Sequence, residues 1–154
     1  MIKLMYTFNR VDSSHEDFKK LVLLLDEELA KRDGEEHAFY DQFNKIENIN
    51  NVIVAYAGQQ PVAAGAFKKF SPEAVEIKRM FVRKDKRGKG LSKRILEELE
   101  TWAKEQNYKY SVLETSKYFN TAQNLYSSHG YGLIPNYGPY ANLPGSVCMK
   151  KELK

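Results

Sequence analysis

Apolar residues recur along this chain with two different periods, and the switches between them mark its elements. Residues 2–8, Ile2-Lys3-Leu4-Met5-Tyr6-Thr7-Phe8, alternate and predict a half-buried strand. Asp12-Ser13-Ser14 follows; Ser13 with Glu16 fits a capping box, and Ser14 is a second N-cap candidate. Phe18, Leu21, Val22, Leu25 and Leu29 then repeat at helical spacing, an amphipathic helix expected to end near Asp33-Gly34. Residues 35–45 predict a second helix with Phe39, Phe43 and Ile46 on one side.

The period then shortens. Residues 52–57 and 62–67 read as strands around a hairpin at Gly58-Gln59-Gln60, and a turn at Ser71-Pro72-Glu73 leads into a third strand, 75–82. Leu91, Ile95, Leu96, Leu99, Trp102 and Ala103 trace the next helical stripe, with Trp102 expected in the core and Glu100 paired with Lys104 on the wet face. A strand at 110–114 follows, and a strand–helix–strand unit of this length implies a right-handed crossover and a parallel pair. A short helix over 119–129 closes at Gly130, a strand covers 131–134, a Pro/Gly/Tyr/Asn loop fills 135–145, and a last strand covers 146–150. The order β-α-α-β-β-β-α-β-α-β-β predicts one α/β domain over residues 1–154 with a mixed sheet.

Composition adds little to that picture, and charge adds more. The 42% apolar and 29% charged residues are those of a globular protein, and no apolar run approaches a membrane span. The first residues are too short and too charged for a secretory signal, and the single Cys148 cannot form an internal disulfide, so a reducing, cytoplasmic home is expected. Residues 78–94 hold nine Lys or Arg against one acid, Asp85, whereas the whole chain is only +4, so the positive potential is local. It lies on a strand–loop–helix junction, Arg87-Gly88-Lys89-Gly90-Leu91-Ser92. Helix N-termini present unpaired N–H groups and the positive end of a dipole, and glycines let an anion approach the main chain. A solvated basic face is the plainer reading of such a run; its coincidence with anion-binding geometry favours a phosphate ligand.

The loop lacks the Walker A spacing, and the dinucleotide pattern finds Lys93 where its third glycine should stand. It resembles motif A (Gln/Arg-x-x-Gly-x-Gly/Ala) of the GNAT superfamily of acetyl-CoA-dependent N-acetyltransferases, with Ser92 as a small-residue variation. Residues 76–82 look like that family's fourth strand, and Ala122, Leu125, Tyr126, Gly130 and Tyr131 look like its motif B. The resemblance implies a mixed, mostly antiparallel central sheet with helices on both faces. It also implies acetyl-CoA as cosubstrate, its pyrophosphate on the amides of Arg87, Gly88, Lys89, Gly90, Leu91 and Ser92, its pantetheine beside Met80, Phe81 and Val82. Lys84, Lys86, Lys89 and Lys93 are candidates for the remaining phosphate. Many relatives carry an Asn three residues before the motif B alanine; here that position is Phe119, and Asn120, one step on, is the candidate for its pantetheine contact.

Acetyl transfer needs a neutral amine, a stabilised thioester oxygen and a protonated leaving thiolate, and direct transfer in a ternary complex supplies much of this by positioning. By resemblance Tyr126 is the general acid, against the plainer reading of a core tyrosine. Glu76 is the best general-base candidate, directly or through water, with Glu114 as rival base or amine-binding anion. A main-chain N–H near Met80 or Phe81 is the expected oxyanion donor. Tyr137 and Tyr140, in a loop long enough to suggest a role, are candidates to line the amine site with residues 34–43, including Glu35, Glu36 and Asp41. His15, His37, His129 and Cys148 show no metal spacing, and no metal is expected.

The leading reading is therefore an N-acetyltransferase for a small-molecule amine or amino acid. Acetylation of a protein N-terminus or lysine is the second enzyme reading. A CoA-binding regulator is the third, and a nucleic-acid binder is disfavoured because the basic run has no stacking aromatic besides Phe81. The sequence leaves acceptor identity and a homodimer open.

Overall fold

Edge-to-edge pairing of the short-period segments builds the sheet, and the computed structural model describes it for residues 5–33 and 48–154. The helix expected over 35–45, with Phe39, Phe43 and Ile46, lies outside the described residues, as does the start of the first strand. The strands are β1 (Tyr6–Val11), β2 (Asn51–Ala57), β3 (Gln60–Ser71), β4 (Ala74–Val82), β5 (Tyr110–Ser116), β6 (Gly132–Ile134) and β7 (Ser146–Glu152). Among the described residues there are three α-helices: α1 (Glu16–Asp33), α2 (Leu91–Glu105) and α3 (Asn120–Ser128). Single 3-10 turns stand at Lys84–Lys86 and Gly138–Tyr140. The seven-stranded order is β1-β2-β3-β4-β5-β7-β6. The expected parallel pair is β4 with β5, and β1/β2, β2/β3, β5/β7 and β6/β7 are antiparallel. No described helix is long and apolar enough to cross a membrane.

The described residues fall into two compact units. The first holds those up to Phe67 together with Lys78–Leu99; the second holds Lys68–Ile77 with Glu100–Lys154. In the first, the predicted stripe of α1 packs Phe18, Leu21, Val22 and Leu25 with Val52 and Val54 of β2, with Leu29 at the margin. Burying side chains of this size stabilises by roughly 1.5–3 kcal/mol each before chain entropy is counted. The capping box does not form, however. Ser13 is buried; its Oγ accepts from Ile49 N–H (2.9 Å) and its own N–H donates to the Ile49 carbonyl (2.9 Å). A long-range backbone tie outcompetes the local cap, while Glu16 and Asp17 still place negative charge on the first turn.

In the second unit, Glu100 and Lys104 do not pair on the wet face. Glu100 sits one helical turn from Leu96 and Ala103, on the buried side of α2. It accepts from Lys151 Nζ (2.7 Å) and from the Tyr131 hydroxyl (2.8 Å), which is also hydrogen-bonded with Ser111. Lys104 instead donates to the Lys154 carbonyl. Trp102 is half-buried, not a core residue. The loop after β6 is held by Asn136, whose amide donates towards the carbonyls of Tyr140, Leu143 and Ser146.

One close approach in the first unit sets a prediction. A Cβ on Gly65 of β3 would lie 2.5 Å from Met80 Sδ, 2.7 Å from Ile95 Cγ2 and 3.0 Å from Leu99 Cδ1. Gly65→Ala is expected to destabilise by about 1–3 kcal/mol through overpacking, read as a lower urea midpoint at unchanged slope. An unchanged midpoint would mean that Met80 and its neighbours yield without cost.

Candidate functional site

In the first unit, β4 delivers the chain through the 3-10 turn into the glycine loop, and α2 starts at Leu91. Gly88 and Gly90 take left-handed φ values of +80° and +78°, and a Cβ on either would meet nothing within 4 Å. The loop therefore turns through conformations that favour glycine and leaves open space in front of its backbone. The first helical bond of α2 runs from Arg94 N–H to the Gly90 carbonyl (3.2 Å), so helix geometry leaves the N–H groups of Leu91, Ser92 and Lys93 without an intrahelical acceptor. No acid stands in that first turn. These are the features an anion such as a pyrophosphate requires, and they fit the cosubstrate the sequence suggests.

The basic run is less free than its count implies. Arg79 pairs with Asp26 of α1 (2.9 Å), and Arg87 pairs with Glu28 of α1 (2.8 Å). Arg87 also donates through Nε to the Val82 carbonyl (2.9 Å) and lies over the Phe81 ring. Arg94 covers the ring of Phe8, 4.4 Å from its centroid. Lys84, Lys89 and Lys93 are exposed, as are the paired Arg87 and Arg94 over its ring. Leu91 and Phe81 are buried in the core, so each can offer a ligand only main-chain groups. Met80 follows Arg79, whose φ of +57° breaks the extended course of β4.

In the second unit, β4, β5, α3 and the loop after β6 gather carboxylates and tyrosines. Glu76, buried at 6% exposure, accepts a hydrogen bond from the Tyr137 hydroxyl (2.8 Å). Tyr137 stands edge-on to Tyr140 (6.0 Å between centroids) and to Phe70 at the end of β3 (4.7 Å). Burial, then the charge and hydrogen bond of Glu76, push the Tyr137 phenol far above its ordinary value, so it stays a donor. Tyr126 is buried on α3 and edge-on to Tyr131 at 5.8 Å. Burial, with the charge of Glu114 second, raises its phenol to about 12, so Tyr126 keeps its proton at neutral pH. Glu114 lies directly across from Cys148 in the β5/β7 ladder. Burial raises the Cys148 thiol despite a backbone hydrogen bond from Tyr137, which leaves it a poor nucleophile.

The second unit thus gathers Glu76, Glu114, Tyr126, Tyr137 and Tyr140, while Met80, Phe81, Val82 and the loop Arg87, Gly88, Lys89, Gly90, Leu91 and Ser92 belong to the first. Asn120 is the first residue of α3 and exposed; Phe119 occupies the N-cap without a side-chain cap bond. Residues 34–43 lie outside the described residues. The sequence reading missed Phe70, because it ended β3 at Phe67. It also missed Asp26 and Glu28, which no spacing rule distinguishes from other helix-surface acids. Among the described residues no group of three or more His, Cys, Asp or Glu could hold a metal ion.

Residues 18–131 match the model of the Acetyltransferase (GNAT) family. An uncharacterised N-acetyltransferase from Dictyostelium discoideum is 42% identical over 82 residues, a stretch that is 51% of this chain and 37% of that protein, so the match spans well under two thirds of that relative. Among solved structures, a protein described as an acyl-CoA N-acyltransferase from Klebsiella pneumoniae aligns with a TM-score of 0.81 over 99% of this chain and 100% of that one, at 24% identity. A GNAT family acetyltransferase from Elizabethkingia anophelis, with acetyl-CoA bound, aligns with a TM-score of 0.71 over 98% of this chain and 100% of that one, at 17% identity. At such identities the structures speak for the fold, and the family match runs from α1 through the glycine loop to Tyr131: this chain belongs to the GNAT family of acetyltransferases.

Proposed function

We propose that residues 1–154 act as one catalytic domain that moves an acetyl group from acetyl-CoA to a primary amine by direct transfer. The observation that carries this reading is the pair of left-handed glycines with open space before them, at the head of a helix whose first turn holds no acid. Family membership and the acetyl-CoA held by the Elizabethkingia relative support it. In this reading the amides of Arg87 to Ser92 hold the pyrophosphate, and Lys84, Lys86, Lys89 and Lys93 are the candidates for the remaining phosphate. The main chain of Met80, Phe81 and Val82 pairs with the pantetheine, and Asn120 is a further contact.

The bound cosubstrate supplies the acetyl thioester. Glu76 takes the proton of the acceptor ammonium, directly or through water, and Tyr137 holds the Glu76 carboxylate in place. As the amine nitrogen bonds to the carbonyl carbon and the carbon–sulfur bond breaks, Tyr126 gives its proton to the departing sulfur, and the second proton that the nitrogen loses returns, through water, to the Tyr126 phenolate. Its raised pKa suits an acid that must stay loaded at neutral pH. Glu114, Tyr137 and Tyr140 are proposed to line the acceptor side, where a carboxylate and aromatic rings suit a cationic amine.

Four outcomes are expected. Acetyl-CoA at about 100 times its Kd should stabilise the protein by about 2.7 kcal/mol, read as a rise in Tm; no rise at millimolar acetyl-CoA would remove the cosubstrate from the proposal. Thiol release should then appear with some members of a panel of small amines, amino acids and peptides, and a response confined to peptides would move the acceptor to proteins. Tyr126→Phe should lower kcat by roughly a hundredfold while leaving the acetyl-CoA stabilisation intact. Because the Tyr126 phenol is raised above its unfolded value near 10, its contribution to stability is full below pH 10 and is lost as pH rises towards 12. Melting curves of Tyr126→Phe should therefore fall less steeply between pH 10 and 12 than those of the parent.

A further inference from the structure

Arg79 is one of two described residues other than glycine with positive φ, at +57°, and it stands inside β4. A left-handed residue inside a strand is strained and persists only where its surroundings enforce it. A contact able to enforce it is present. The Arg79 side chain is 5% exposed, and its Nη1 donates to Asp26 Oδ1 of α1 at 2.9 Å. The dihedrals of Arg79 aim the peptide that joins it to Met80, and so set the direction of the Met80 N–H. Two residues further along α1, Glu28 pairs with Arg87, the first residue of the glycine loop, and Arg87 in turn donates to the carbonyl of Val82.

We infer that Asp26 is a positioning residue for the acyl-donor site, acting through Arg79 to hold the Met80 main chain in its ligand-binding direction. The inference rests on the reading that Met80 to Val82 carry the pantetheine and thioester. An ion pair kept only for stability would have no need of a left-handed backbone; here the pair spans from helix to strand at the one residue of β4 with positive φ. Without Asp26, a nearly buried guanidinium has lost its counter-charge and must leave for water. The backbone then relaxes to the extended region and rotates the Met80 N–H away. Glycine at position 79 adopts positive φ without strain and has no guanidinium to relocate.

The test compares Asp26→Asn, Arg79→Gly and the double variant by steady-state kinetics against acetyl-CoA, alongside Tm. Asp26→Asn is expected to lower kcat/KM for acetyl-CoA by about tenfold or more, as misplacement near the reacting atoms does. The double variant is expected to regain most of that loss while its Tm stays low, because the ion pair is still missing. A lowered Tm with unchanged kcat/KM in Asp26→Asn would overturn the inference, as would a double variant no more active than the single one. If Asp26→Asn fails to fold, Arg79→Gly and the double variant decide. Equal kcat/KM supports action through Arg79, and a further loss from Asp26→Asn in the glycine background refutes it. Parent protein that neither melts higher with acetyl-CoA nor turns over would instead bring down the donor-site reading itself.

Discussion

A strand can spend its main-chain hydrogen-bonding groups on a neighbouring strand or offer them to a ligand, and β4 pairs with β5 only over its first residues. Its parallel register with β5 runs from Ala74↔Tyr110 to Glu76↔Val112. Three residues later Arg79 turns left-handed, and Met80 to Val82 follow. Buried N–H and C=O groups must find partners, so a break in a strand's regular course is a natural place for an extended, amide-bearing ligand. The same strand carries Glu76 in the second unit and leads to the glycine loop in the first, so the proposed base and the proposed anion cradle are joined by one short run of backbone.

Carboxylates do most of the tying around that strand. In the first unit Asp26 holds Arg79 and Glu28 holds Arg87, so two arginines of the basic run are already paired while Lys84, Lys89 and Lys93 stay exposed. In the second, Glu76 is held by Tyr137, and Glu100 is shared by Tyr131 and Lys151. Where the group left behind is buried, as Arg79, Glu76 and Glu100 are, removing its partner costs more than the pair contributes, because the survivor is left without compensation. This gives the site residues defined positions, and it distinguishes Glu76, whose neighbours orient it, from an ordinary strand carboxylate.

Much of the architecture was legible because it is written in local periodicity. The stripes of α1 and α2, the hairpin at Gly58, the glycine loop and the helix carrying Tyr126 all follow from spacing that survives without knowledge of the neighbours. The misses share one cause. Ser13 looked like a cap but bonds Ile49, 36 residues away; Glu100 looked like a wet-face partner of Lys104 but meets Lys151, 51 residues on. β3 runs on to Ser71 through Lys68, Lys69 and Phe70, where composition alone suggested a stop.

By itself the sequence determined the order of elements, the location of the positive charge and the glycines that open a cradle before α2, because each depends on residues within a few positions of one another. It also placed Tyr126 and Glu76 on a helix and a strand. Only the tertiary structure decided which charges are spent and which remain available, that Tyr137 is the partner of Glu76, and that Arg79 bends β4 against its own preference. Those outcomes depend on which side chains meet across long loops, and on burial that makes an unpaired charge or hydroxyl costly. No pattern read along the chain carries that information.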